Sequence, residues 1–223
     1  MLVISRTKKP EEVKKKTDGI TLFMIDVERE GVSHSAIDKV GTRCVPASNV
    51  YFDNVPVSGD ELIGTLDEGW PELLDVLNTE RIVTAAGLVG TVHLALRLAV
   101  DYANGRKLFG DKAISSYQGL QFPLAQVYAE IECARVMNYQ AAALFDDGDA
   151  FGHYANMAKL VAAQAAAEGT ERAMQTMGGM GYSTEMHVER LWRDARLFRF
   201  APVSEEMILN YIAMHELGMN RGY

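Results

Sequence analysis

The sequence predicts a mainly α protein: an antiparallel four-helix bundle over residues 67–223, preceded by a partial β domain over 1–66. Three observations carry this prediction. Residues 1–66 are short β-branched or aromatic runs separated by Gly, Pro, Asn and Asp, the pattern of strands and turns. From Gly69 onward apolar residues recur at helical spacing in three long stretches. The links between those stretches are short, which folds consecutive helices back on one another.

In the first part the strand-like runs are "LVISRT", "GITLFMID" and "CVPASNVYFDNVPV". The first two read as a hairpin whose long exposed loop is the charged excursion at 8–18. Val50, Phe52 and Val55 alternate with polar residues, as in a strand with one packed face, and Pro56 holds the strand end at an edge. This part is small for an independent sheet, and Met1 already stands inside a strand pattern, so further β structure is expected upstream.

Pro71 suits a first helical turn, and Leu74, Leu77, Val83, Ala86, Val89, Leu94 and Ala95 follow at broadly helical spacing to about residue 104. A second helix is expected from about Tyr117–Pro123 to Phe145, closed by "DDGD", and an alanine-rich third from Gly152 to Met177, stopped by "GGMG". Shorter helices follow near 187–198 and 203–217, with Pro202 as a first-turn residue of the last.

Composition narrows the function classes. With 223 residues, 48% hydrophobic and 23% charged, the chain resembles an ordinary soluble globular protein. A net charge of −8 argues against a nucleic-acid surface, and the one basic run, "KKPEEVKKK", is interrupted by acids and reads as a solvated loop. Cys44 and Cys133 fit no metal-ligand spacing, so two buried or inert thiols in a reducing compartment are expected, with no metal site. The opening is too short for a signal peptide, and no apolar stretch is read as approaching about 18 charge-free residues. The expectation is a cytoplasmic protein without membrane contact.

Three stretches are candidates for chemistry. Glu80 stands in an apolar helical run, with Val76, Leu77, Val83 and Thr84 three and four positions away, so no helix-surface ion pair is available there. Thr84, Gly87 and Thr91 continue its face as a strip of small side chains, which leaves room for a ligand and equally suits close helix packing. In a dry site its carboxylate would have a raised pKa, suited to a general base. In "GRKLFG", Arg106 and Phe109 could project from a helix end to hold a phosphate and stack on a planar ring, or Arg106 could snorkel as part of a cap; Gln118 could add an amide. In "QTMGGMGYSTE", Gln175 precedes glycines at 178, 179 and 181 that permit a close backbone approach, or simply a tight turn. Without a preceding strand it is not a dinucleotide fingerprint.

Taken together, "ERIVTAAGLVG", "DYANGRKLFG" with the following "YQ", "AQVYAEIECARVMNYQAA", "MQTMGGMGYSTEMHVERLWRDAR" and "APVSEEMILNYIAMHELG" resemble the acyl-CoA dehydrogenase family in order and spacing. The resemblance covers the whole chain and implies the second half of the family's middle β domain plus its C-terminal helical domain. It implies FAD as cofactor, an acyl-CoA substrate, an electron-transfer flavoprotein or similar acceptor, and a homo-oligomer. Arg106, Phe109 and Gln118 match positions contacting FAD across a dimer interface, although the segment from Phe109 to Gln118 is one residue longer than in common members. Gln175, Gly178 and Gly179 match the turn that receives the diphosphate and adenosine end of a neighbouring subunit's FAD. Asn78 and Arg81 match positions on the substrate-binding helix, and Ser204 and Glu206 match positions near the flavin, where Glu206 replaces an amide.

One departure decides the base. Many members carry the catalytic glutamate in a Tyr-Glu-Gly-Thr segment shortly after "RDAR", where this chain has Ala201, Pro202, Val203 and Ser204. A minority branch, including enzymes resembling isovaleryl-CoA dehydrogenase, carries it on the first long helix immediately before an arginine, the place of Glu80. The resemblance therefore implies that Glu80 takes the substrate's α proton while the β hydrogen passes to the flavin, giving a trans-2-enoyl-CoA. Two other readings stay open: a non-catalytic or incomplete subunit that completes a partner's flavin site, and a flavin-dependent oxidase or monooxygenase on the same scaffold.

Overall fold

The computed structural model of the chain describes residues 1–220 and residue 222. Its contacts divide into two units, residues 1–39 with 43–77, and residues 40–42 with 78–223.

The first unit holds two antiparallel sheets. Strands β1 (Leu2–Arg6), β2 (Ile20–Met24) and β5 (Leu62–Ile63) form one, in the order β1-β2-β5; β3 (Val32–Ala36) and β4 (Ser48–Phe52) form the other. The expected hairpin is present, with Leu2 opposite Met24 and Arg6 opposite Ile20. Arg6 ties down its long loop by donating to the carbonyls of Lys16 and Asp18. Thr21 and Leu22, adjacent in β2 and so on opposite faces, are both buried; the Thr7 hydroxyl lies 2.7 Å from that of Thr21 and donates to Asp67 at 2.6 Å. A guanidinium–carboxylate pair, Arg29 with Glu61, closes the far end.

Two expectations for this unit need correction. Strand β3, "VSHSA", has no counterpart in the sequence reading, because only Val32 offers the β-branched apolar signal and the other four residues are exposed. The packed face expected of β4 is only half formed: Val50 is half-buried, but Phe52 is 48% exposed in this two-stranded sheet.

The five longer helices are α1 (Gly69–Gly105), α2 (Gln118–Asp146), α3 (Gly152–Met177), α4 (Val188–Arg196) and α5 (Glu205–His215). Asn138, late in α2, donates to the Ile82 carbonyl early in α1, while a side chain added at Gly152, which opens α3, would meet Asn78. These contacts set α2 antiparallel to α1 and α3. The main core joins Ala85, Leu88, Val92 and Leu96 of α1, Val127, Ile131 and Ala134 of α2, Ala158, Ala162 and Ala166 of α3, and Ala195 of α4. A second cluster, Ala95, Ala99, Ala173, Met177, Val188 and Leu191, continues it toward the end of α3. Alanine suits both helix formation and close approach, so this α3 packs at short range without disturbing its backbone.

Three further expectations are corrected here. An 18-residue window of α1 has a mean hydropathy of 1.6, long and apolar enough to cross a bilayer by composition, yet it supplies the bundle core. Pro202 lies before α5 rather than in its first turn; Ser204 is the N-cap, accepting a hydrogen bond from the Met207 N–H at 3.3 Å. Cys44 and Cys133 are unpaired and exposed rather than buried, one in the 37–47 loop and one on the outer face of α2.

Two glycines test this packing. A Cβ at Gly169 would lie 2.7 Å from the Val127 side chain and 3.3 Å from that of Val92, whereas one at exposed Gly90 meets nothing within 4 Å. Gly169→Leu should destabilise the chain by about 1–3 kcal/mol through overpacking, and Gly90→Ala should stabilise it by about 0.5–1 kcal/mol through backbone entropy. Urea unfolding read by far-UV circular dichroism checks both, and equal effects at the two positions would contradict the packing described.

Candidate active site

Helix α1 carries two chemistries on successive residues. Glu80 is exposed, whereas Arg81, one helical step further round, is turned inward and 8% exposed. The strip beside Glu80 borders open space: a Cβ at Gly87 would meet nothing within 4 Å, and Thr91 spends its hydroxyl on the Gly87 carbonyl at 3.0 Å. Among the described residues nothing packs within 4 Å of where a Gly87 side chain would stand. The dryness considered for Glu80 is not provided by those residues, since its carboxylate faces solvent.

Arg81 donates through Nη1 to the Asn78 side-chain oxygen, while its buried Nε has no hydrogen-bond partner among the described residues. Burial pushes its guanidinium pKa down, opposed by the negative charge of Glu80. The structure thus brings Asn78, Glu80 and Arg81 together on one turn of α1, with two of them linked directly.

The sequence reading missed a polar cluster deeper in the bundle. Lys159 of α3 is fully buried, and its Nζ donates to the carbonyls of Phe198 at 2.6 Å and Val203 at 2.7 Å. Glu205, the first residue of α5 and 6% exposed, accepts two bonds from the Arg199 guanidinium at 2.7 and 2.8 Å. A signal existed: Lys159 shares a helical face with Ala155, Ala162, Ala163 and Ala166, so it breaks an otherwise small apolar stripe.

The other candidates sit on exposed turns. Helix α1 ends at Gly105, so Arg106 and Phe109 lie in the loop beyond it rather than on the helix end. The backbone of Arg106 is pinned by Arg106 N to the Tyr102 carbonyl at 2.9 Å and by Ile114 N to its own carbonyl at 2.9 Å. Its guanidinium makes no hydrogen bond or ion pair among the described residues. Phe109 is 93% exposed at φ 52°, a strained setting for an aromatic residue, followed by Gly110 at φ 102°. Gln118 is the first, exposed residue of α2.

At the far end of α3, Gln175 is exposed and Gly178 takes φ 58° at the start of a tight 3-10 turn, Gly178–Met180. A Cβ at Gly178 or Gly179 would meet nothing within 4 Å, whereas one at Gly181 would lie 2.4 Å from the Met174 carbonyl. The first two glycines are exposed with open space where a side chain would stand, the Gly178 N–H donating to the Gln175 carbonyl, and the third seals the turn against α3. Ser204 caps α5, and the Glu206 carboxyl is held below its ordinary value by its own backbone N–H and by the Ser204 hydroxyl.

These parts fit a nucleotide cofactor of the FAD type. An uncommitted guanidinium suits a diphosphate, and an exposed aromatic suits a planar ring. The described residues contain no group of three or more His, Cys, Asp or Glu side chains placed to hold a metal ion.

Comparison with known proteins agrees with this architecture. Residues 67–217 match the sequence profile of the acyl-CoA dehydrogenase C-terminal domain. The acyl-CoA dehydrogenase FadE12 of Mycobacterium tuberculosis is 39% identical over 225 aligned positions, covering 100% of this chain and 57% of that protein. The mitochondrial short-chain specific acyl-CoA dehydrogenase of Bos taurus is 36% identical over 200 positions, 89% of this chain and 48% of that one. The solved structure of butyryl-CoA dehydrogenase from Megasphaera elsdenii superposes with a TM-score of 0.89 at 31% identity, over 98% of this chain and 56% of that chain. The chain spans about half the length of the curated relatives it matches.

Lys159 generates a pH prediction. Burial pushes its amine from the ordinary 10.5 down to about 8, against the charge of Glu205 and with that of Arg81. Below about 8 the amine is protonated folded and unfolded alike; between about 8 and 10.5 only the unfolded chain holds the proton, so the group's contribution to stability rises with pH. Urea unfolding of the wild type and of Lys159→Met should show a difference that moves in favour of the wild type between about pH 7.5 and about pH 9.5. A flat or opposite trend would contradict this ionisation.

Proposed function

Because the chain belongs to the acyl-CoA dehydrogenase family, we propose that it forms the substrate- and flavin-binding half of an oxidoreductase that converts an acyl-CoA thioester to its trans-2-enoyl-CoA. The observation that carries this reading is on α1, where the Glu80 carboxylate faces an open strip while the adjacent Arg81 is turned into the bundle.

FAD, when bound, supplies the acceptor for the substrate's β hydrogen. On the protein side Glu80 takes the α proton at its carboxylate, and the bare strip of Thr84, Gly87 and Thr91 admits the acyl chain beside it. Asn78 orients the thioester end from the same turn, restrained by the hydrogen bond it accepts from the inward-turned Arg81. Arg106, Phe109 and Gln118 after the end of α1, and Gln175, Gly178 and Gly179 at the end of α3, lie toward the same end of the bundle and hold FAD shared with a second copy of the chain.

The alternative carboxylates are less suited to be the base. Ala201, Pro202, Val203 and Ser204 occupy the place of the more common glutamate segment, and the next residue, Glu205, is committed to Arg199. Glu206 is made a weaker base by the hydrogen bonds that depress its pKa.

The exposed apolar side chains Phe122, Tyr128, Val136 and Tyr139 on α2 support a homo-oligomer. An electron-transfer flavoprotein or similar acceptor would reoxidise the cofactor. The two exposed, unpaired cysteines suit a reducing, cytoplasmic setting.

Glu80→Gln tests the base. Turnover of short and branched acyl-CoA thioesters with an artificial electron acceptor should fall on the order of 10²–10⁴-fold, with the far-UV spectrum and FAD affinity unchanged. Turnover by the variant at the wild-type rate would place the base elsewhere.

A further inference from the structure

Lys159 is the largest side chain buried completely in this bundle, and a lysine so placed needs a reason. Its amine bonds two backbone carbonyls five residues apart, at Phe198 and Val203, the two ends of the connection between α4 and α5. The same connection is tied a second time by Arg199, which grips Glu205 at the start of α5. No regular ladder holds residues 200–204; these two cationic ties act there together with the Phe200 and Ala201 N–H bonds to the Leu197 carbonyl, the Arg196 guanidinium over the Phe200 ring and the Ser204 cap of α5. Ser204 and Glu206 follow directly, so their positions depend on where the connection ends.

We propose that Lys159 is a positioning residue: from α3 it fixes the backbone of residues 198–203 and thereby sets Ser204 and Glu206 at the cofactor-facing start of α5. The cofactor half of this inference rests on the flavin reading above; the anchoring half does not. A primary amine is suited to the task, since its one nitrogen donates to two carbonyls in different directions at the tip of an unbranched apolar stem. Deprotonation leaves two N–H groups, enough for both carbonyls, so the anchor persists when the charge, with Glu205 and Arg81 as its charged neighbours, is lost.

The test compares the wild-type chain with Lys159→Met, which keeps an unbranched side chain, one atom shorter, and removes its donors. Hydrogen exchange followed by mass spectrometry should show amides in 198–207 exchanging at least about tenfold faster in the variant, with α1 and α2 unchanged. With FAD added, the variant should bind it about tenfold more weakly and show an altered visible circular-dichroism spectrum of the bound flavin, a signature that loss of core packing alone would not give. Unchanged exchange in 198–207, or a uniform rise throughout the chain, would overturn the anchor. Faster loop exchange with an identical flavin spectrum and affinity would overturn its reach to the cofactor. A wild type that takes up no FAD would overturn the flavin reading and the cofactor half with it, while the exchange data still decide the anchor. Should Lys159→Met fail to fold, the wild type carries the test: Lys159 must resist amine acetylation while exposed Lys107 and Lys112 react, and the 200–204 amides must exchange at least about tenfold slower than those of the 8–16 loop. Ready acetylation or free exchange would overturn the proposal.

Discussion

The helical unit depends on how closely α3 is approached by its neighbours. Ala155, Ala158, Ala162, Ala163, Ala165, Ala166 and Ala173 are all buried, and Gly169 lies where even a methyl group would press on Val127. Small side chains on the central helix let larger ones from α1 and α2, such as Leu88, Val92, Val127 and Ile131, fill the space at normal packing density. The stripe has a cost, because Ala contributes little buried apolar area per residue and leaves the surrounding residues to supply most of it. What it gains is proximity, and through proximity one long side chain on α3 reaches the backbone beyond α4.

That side chain ties the unit together chemically. A buried ammonium is costly unless its donors are used, and two carbonyls at hydrogen-bond distance use them. The Arg199–Glu205 pair repeats the logic nearer the surface. Helix α1 in turn divides its duties by face. The inner face gives Arg81, Ala85, Leu88 and Val92 to the bundle, and the outer gives Glu80 and Gly87 to solvent. The packed inner face gives the exposed residues of the same helix a firmly held backbone.

Much of this was legible in the sequence, for identifiable reasons. The bounds of α3 followed from a glycine at each end of an unbroken alanine-rich run, and for α2 the expected start at about Tyr117–Pro123 and the "DDGD" stop bracket the observed Gln118–Asp146. Strand β3 was not legible, because a two-stranded sheet with exposed faces imposes no apolar alternation on "VSHSA". The helical run read to about residue 104 agrees with the end of α1 at Gly105, which leaves Arg106 and Phe109 in the loop beyond it. Lys159 escaped notice because a single charge in an alanine helix reads as solvated until its face is compared with its neighbours' burial. Side-chain direction was the other gap: Glu80 and Arg81 are adjacent in sequence, and only the packing of α1 shows that one faces water and the other the core.

The most direct test of the account is the visible absorption spectrum of the full chain after incubation with FAD and removal of the excess, followed anaerobically as short and branched acyl-CoA thioesters are added. The account predicts retained flavin whose oxidised absorbance bleaches with at least one thioester. A chain that retains no flavin, or whose flavin is reduced by none of them, would contradict it.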